Sequence, residues 1–280
     1  MDNSLKLLKM QDLKDQMRSF IKLVLPKKFR TILCRATKRI CFLGYRYTCP
    51  FCKSSLRALL PSGLNFPVLK QKEIIGGGYR QNSVCPVCGS NDRERLLYLY
   101  VSNRTNVFKK SLKLLHVSPE PRMRDVLQNR KDIDYLTADI NPKGVMIQMD
   151  ITHIQFPENF FDFIICNHVL EHVIDDGKAM RELYRVLKPG GEAILQVPIS
   201  LALDNTFEDF SITTVAGRQE AFGQGDHVRI YARDYKVRLE QAGFIVDVFQ
   251  WASEGVSFYS RINKFALNEK EAIYFVRKSC

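Results

Sequence analysis

Long apolar runs are missing from this chain of 280 residues. Past Pro26 in the N-terminal segment, basic side chains interrupt every apolar run, so none approaches the roughly 20 apolar residues that span a bilayer. No signal peptide is evident, and the chain is expected in the cytoplasm, where thiols stay reduced. Histidine is scarce at five residues, which leaves few candidates for a proton acceptor near neutral pH. Acidic residues are the minority, 30 against 42 Lys and Arg, for a net charge of +12. That excess is local: residues 1–47 hold twelve Lys or Arg and three Asp, or +9 of the +12. The rest is nearly balanced, which argues against a catalytic surface built to grip a polyanion.

What is present is clearest at residues 161–198, FDFIICNHVLEHVIDDGKAMRELYRVLKPGGEAILQVP. An apolar run ends in Cys166-Asn167-His168. An amphipathic helix follows, with Ala179, Leu183, Val186 and Leu187 on its apolar side, and a second apolar run begins after Lys188-Pro189-Gly190-Gly191. The pattern predicts a parallel βαβ unit with a helix stop and turn at residues 188–191. Ligands of such sheets bind at the carboxyl ends of the strands, which makes Asn167 and His168 candidate site residues.

Upstream, residues 113–118 read as a first strand, 121–129 as its helix and 134–140 as a second strand ending near Asp139. Asp139 lies 21 residues past Ser118, where nucleotide-binding α/β folds place the carboxylate that holds a ribose diol. Asp150 is the next acidic position able to meet an adenine edge.

These residues together resemble the class I S-adenosylmethionine-dependent methyltransferases, in particular the bacterial type 11-like branch. The resemblance runs from about residue 112 to the end of the chain. It implies an α/β fold with a seven-stranded Rossmann-like sheet, whose last strand, near residues 271–278, is antiparallel beside 245–251. It also implies S-adenosylmethionine as cofactor. Asp139 and Ile140 would face the ribose, Asp150 and Ile151 the adenine, and Ser118, Pro119, Glu120, Asn167 and His168 the methionine half. One departure stands out. The family's first loop is glycine-rich, whereas residues 116–122 here contain no glycine, and proline has no N–H to donate. A Pro-Glu loop that accompanies a DHVR motif, here Asp226-His227-Val228-Arg229, is similar to a sub-branch of the family.

Cys49-Pro50-Phe51-Cys52 and Cys85-Pro86-Val87-Cys88, with 32 residues between them, form two Cys-x-x-Cys knuckles. Four thiolates suit a closed, tetrahedral structural zinc site in a zinc-ribbon-like module. A disulfide pair would need an oxidising compartment, and a redox-active Cys-x-x-Cys usually involves one knuckle. Cys166, at the end of a buried strand, reads as a packed small hydrophobe. The division expected is a basic N-terminal segment at 1–47, the zinc module at 48–110 and the methyltransferase domain at 111–280. Within the first, Met10, Leu13, Met17, Phe20, Ile21 and Val24 mark one face of a basic amphipathic helix ending before Pro26. It either docks on the protein's own body or lies on an anionic membrane surface.

For catalysis the candidate is His227, in a polar, glycine-containing segment after the fifth strand, with Asp226, Arg229, Glu208 and Asp209 nearby in sequence. An adjacent carboxylate would raise its basicity. Glu171 and His172 read as a helix start with a capping or packing role, and His116 and His153 as structural. Three functions follow. The first is methylation of a hydroxyl on a glycan or other small molecule, near the inner membrane leaflet. The second is RNA methylation, with the zinc module and basic tail binding RNA. The third is a non-catalytic binding protein with a degenerate cofactor loop. Oligomeric state is not readable.

Overall fold

The computed structural model describes residues 26–254 and 263–280. The helix expected over residues 10–24 lies outside them. Helix α1 (Lys27–Cys41) follows Pro26 and closes with Lys38 and Arg39 in its last turn, where cations complement the helix dipole. Its Phe29, Ile32, Leu33 and Ile40 are more than half exposed, so Phe29, at 65%, does not pack as its apolar character suggests.

Two short hairpin-like pairs carry the cysteines. Strand β1 (Leu43–Thr48) pairs with β2 (Ser55–Leu56). Strand β3 (Leu60–Ser62) is followed by α2 (Pro67–Gln71), β4 (Ile74–Ile75) and β5 (Arg80–Val84), and β5 pairs back onto β3. Each of β1 and β5 runs directly into a knuckle, and the two knuckles share one backbone design. Cys49 N–H donates to Ser54 O and Lys53 N–H to Cys49 O, at 3.0 and 2.9 Å. Cys85 N–H donates to Ser90 O and Gly89 N–H to Cys85 O, both at 2.9 Å. The design needs a left-handed residue after the second cysteine, supplied by Lys53 (φ 57°) in one knuckle and Gly89 (φ 82°) in the other.

Helix α3 (Asp92–Arg104) begins at Asn91, whose side chain accepts the Glu94 N–H at 2.8 Å. It leads into the sheet built from β6 (Leu112–Val117), α4 (Pro121–Leu127), β7 (Ile133–Asp139), β8 (Ile147–Gln148), β9 (Phe161–Cys166), α5 (Asp176–Val186) and β10 (Leu187–Ile194). An insertion follows, comprising β11 (Ile199–Ser200), β12 (Phe207–Glu208), α6 (Val215–Phe222) and β13 (Arg229–Ile230). Helix α7 (Tyr235–Gln241), β14 (Ile245–Gln250) and β15 (Ala272–Arg277) complete the chain.

The strand order is β14-β15-β10-β9-β6-β7-β8, and β15 alone runs antiparallel to its neighbours. The expected α/β architecture with a seven-stranded mixed sheet is therefore present. Residues 188–191 depart from expectation. They do not form a turn before the strand but lie inside β10, where the register against β9 slips between Leu187 and Glu192 and Gly190 takes φ 71°. On one sheet face α5 and α7 bury Ala179, Leu183, Tyr235 and Leu239. On the other, Leu96, Leu97 and Tyr100 of α3 pack with Leu114, Phe163 and Phe275. Cys166 is fully buried, as expected of a small core residue.

The segment between the knuckles is stitched onto the insertion. Strand β4 pairs with β11, and Leu69 of α2 lies so close to Gly223 that a Cβ there would sit 2.3 Å from its side chain. That contact, and the φ of 82° at the end of α6, make glycine necessary at this position.

Candidate active site

The strand order reverses at β6, so the crevice between the carboxyl ends of β6 and β9 is the place for a ligand. The loop after β6 has no glycine, yet Ser118 adopts the left-handed conformation, φ 46°, that a glycine would reach without strain. Side chains hold the loop in place. Tyr135 on β7 meets His116 Nδ1 at 2.9 Å, His116 Nε2 meets Glu120 at 2.6 Å, and the other Glu120 oxygen accepts from Asn167 Nδ2 at 3.0 Å. Asn167 Oδ1 in turn accepts the Gln196 N–H at 3.1 Å. Burial opposes charge on Glu120, but the bonds from His116 and Asn167 outweigh it and hold the carboxyl below its ordinary range. The N-terminus of α4 is also taken: Glu94, from α3, accepts the N–H groups of Arg122 and Met123 at 2.5 and 3.1 Å. His116, read from the sequence as structural, has partners on both ring nitrogens. Its four-residue spacing to Glu120 was the signal that could have revealed one.

Further along this edge, Asp139 ends β7 and accepts the Asn141 N–H, with Ile140 exposed beside it. Asp150 is exposed and caps a turn through Thr152. The Ile151 side chain is in the core, which leaves its main chain as the part able to meet an adenine.

Across β9 the character changes. His168 takes φ 56° and its Nδ1 lies 3.1 Å from Arg93 Nη1 and 3.5 Å from Glu171. A Cβ built on Gly76 would be 3.4 Å from Glu271 and 3.6 Å from His168, so the loop after β4 closes over this cluster. Among the described residues, five buried side-chain polar atoms lack a partner, and four are here: Arg93 Nε, His168 Nε2, Glu171 Oε2 and Glu271 Oε2. Burial pushes Glu171 up to about 8 and Glu271 up to about 7, and drives His168 well below its ordinary value.

His227 is 8% exposed and its ring meets that of His172 edge-on, centroids 4.7 Å apart. Burial, then the neighbouring His172, push it down to about 4, reversing the expectation that Asp226 would raise its basicity. Asp226 instead turns to His172, 3.4 Å from Nδ1, and is 68% exposed. Arg229 and Glu208 pair at 2.8 Å as a structural clamp, with Arg229 also donating to the carbonyls of Leu170, Val173 and Ile174. Asp209 caps its own turn through Ser211. Glu171 and His172 each bring a side-chain ligand atom within 4.8 Å of one on His227.

Residues 102–195 match the family model described as "Methyltransferase domain". This segment, from within α3 to just past β10, is therefore similar to a methyltransferase domain. Similar curated proteins include the ubiquinone/menaquinone biosynthesis C-methyltransferase UbiE of Pectobacterium carotovorum, 33% identical over 91 residues that make up 31% of this chain and 33% of that protein. The enzyme of the same name from Vibrio cholerae is 26% identical over 132 residues, 42% of this chain and 51% of that protein. The chain thus spans a third to a half of the length of these relatives. Among solved structures, a Burkholderia thailandensis 1,6-didemethyltoxoflavin-N1-methyltransferase is similar at 14% identity and a TM-score of 0.44, covering 66% of this chain and 76% of that one.

Ahead of the matched segment, the four knuckle thiols converge. Cys49 and Cys88 Sγ are 3.5 Å apart, Cys52 and Cys85 Sγ 3.8 Å, and all four lie within 4.8 Å of one another. Disulfide sulfurs stand about 2.05 Å apart, whereas a tetrahedron with Zn–S bonds of about 2.3 Å has edges near 3.8 Å. The donor set therefore fits a zinc ion. Arg95, fully buried, binds the carbonyls of Ser83, Ser90, Phe265 and Ala266, tying the second knuckle to the loop before β15 and setting a cation near the thiols.

Proposed function

We propose that the chain is an S-adenosylmethionine-dependent methyltransferase acting on a hydroxyl of a glycan or other small molecule. The observation that carries this reading is the segment similar to a methyltransferase domain, with Asp139, Glu120 and Asn167 gathered along the carboxyl edge of its sheet. S-adenosylmethionine supplies an electrophilic methyl group when bound. Asp139 would accept the ribose hydroxyls, with Ile140 alongside, and Asp150 and the Ile151 main chain would meet the adenine. Ser118, Pro119, Glu120, Asn167 and His168 would hold the methionine half, where a Glu120 kept ionised suits an ammonium. The acceptor oxygen would lie across β9, among the unpartnered atoms of Arg93, His168, Glu171 and Glu271. His227 would take the acceptor proton. Its depressed basicity keeps the ring neutral at pH 7, with a lone pair available, and much of the rate would come from positioning.

The cysteine cluster is read as a structural zinc site in which four protein ligands leave no open position for catalysis. Basic residues 1–47, with the exposed apolar side chains of α1, suit peripheral contact with anionic lipid at the inner leaflet. Among the described residues no helix is long and apolar enough to cross a membrane.

The test is calorimetric titration with S-adenosylmethionine beside Asp139→Ala. Loss of a charge-assisted hydrogen-bond pair is expected to weaken binding about tenfold or more. A folded, zinc-loaded protein that binds no cofactor would overturn the reading in favour of a non-catalytic binding protein.

A further inference from the structure

We propose that Glu171, His172 and His227 bind one divalent transition-metal ion, separate from the four-cysteine centre. Each offers one ligand atom, and the three atoms lie within 4.8 Å of one another. Glu171 is 2% exposed and its Oε2 has no partner, an arrangement a buried carboxylate rarely keeps without a ligand. Glu171 and His227, though not His172, line a cavity of about 10 Å³ with Gln224, Arg229 and a largely apolar remainder. That volume is about the size needed for one ion or water.

The surroundings orient the three side chains as metal sites require. His172 Nδ1 lies 3.2 Å from the Asp226 carbonyl, which takes its N–H and leaves the Nε2 lone pair available. The Val228 N–H donates to the Glu171 carbonyl at 3.0 Å, fastening the His227 segment to the turn that carries the other two ligands. Arg229 clamps the same turn through the carbonyls of Leu170 and Ile174, and its charge is met by Glu208 at 2.8 Å and Asp176 at 3.7 Å. Two imidazoles and a carboxylate select Mn(II), Fe(II), Co(II) or Zn(II) over hard oxygen-seeking cations, and leave positions open for water or an oxygen ligand.

What the ion does rests on the proposed function: an acceptor hydroxyl bound to it would pass its proton to water more readily. A ring nitrogen holding a metal takes no proton, so His227 would then serve the acceptor through the ion.

The experiment uses the full chain with its cysteine centre loaded with zinc. Mn(II), Co(II) and Zn(II) are titrated in turn, with Mn(II) followed by electron paramagnetic resonance and Co(II) by visible absorption. The expected result is one further equivalent of metal per chain for at least one ion. His227→Ala and Glu171→Gln should each weaken it at least tenfold while circular dichroism stays unchanged. His172→Ala provides a third variant should either of these fail to fold. Asp139→Ala, altered on the cofactor side, should keep the equivalent. No further equivalent for any of the three ions, or binding equally strong in the ligand variants, would overturn the site. Neither outcome depends on cofactor binding, so this test and the S-adenosylmethionine titration fail independently.

Discussion

The two halves of the sheet's carboxyl edge solve the same problem in opposite ways. Between β7 and β9, Tyr135, His116, Glu120, Asn167 and the Gln196 N–H form one hydrogen-bonded chain that is complete without any ligand. Past β9, Glu171 and Glu271 are buried and Arg93 and His168 partly so, yet each keeps a buried atom with no partner. A completed network fixes a loop that has no glycine to shape it, and does so before anything binds. An incomplete one stores a desolvation cost that a polar ligand or ion recovers on binding. The first half is thus organised in advance, and the second is set up to gain from occupancy.

Removing one member from each half sharpens the contrast. Glu120→Ala leaves the His116 and Asn167 donors buried without an acceptor and is expected to cost about 3 kcal/mol in denaturant unfolding. Glu271→Gln, in the incomplete half, should act in the opposite direction. Its carboxyl is pushed up to about 7 from an ordinary 4.5. Below pH 4.5 it is protonated whether the chain is folded or not. As pH rises towards 7 the unfolded chain gives up the proton first, so stability falls across that window and levels off above it. The glutamine variant lacks this loss. It should be more stable than the parent by about 2–3 kcal/mol at pH 8 and indistinguishable at pH 4, read from urea midpoints at both pH values. A flat difference across pH would mean that Glu271 has a partner after all. The smallest effect belongs to Asp226→Asn: the carboxylate is 68% exposed and 3.4 Å from His172, and its loss should move stability by no more than about 0.5 kcal/mol.

Much of the fold could be read along the chain because its signals are local. The apolar runs on either side of α5 announce the parallel β9 and β10, and the cysteine spacing announces two knuckles that the structure brings within 4.8 Å. Asp139 and Asn167 were placed by counting from strand ends, and both lie at the carboxyl edge. Residues 188–191 misled because proline and glycine mark a bulge as readily as a turn, and only pairing with β9 and β15 distinguishes them. Arg93 and Glu271 gave no signal, since Arg93 meets His168 and Glu271 comes up beside Gly76 from segments distant in sequence.

The sequence by itself determined the order of strands and helices, the paired thiols and the concentration of basic charge before residue 48, because periodicity, turn chemistry and charge act over a few neighbouring residues. Only the tertiary structure decided the protonation behaviour of the site. His227 follows an aspartate, which in water would raise its basicity, but burial beside His172 lowers it, while Glu171 and Glu271 are raised by the same exclusion of solvent. Desolvation depends on everything packed around a group, and in this site it outweighs the nearest charge in the chain.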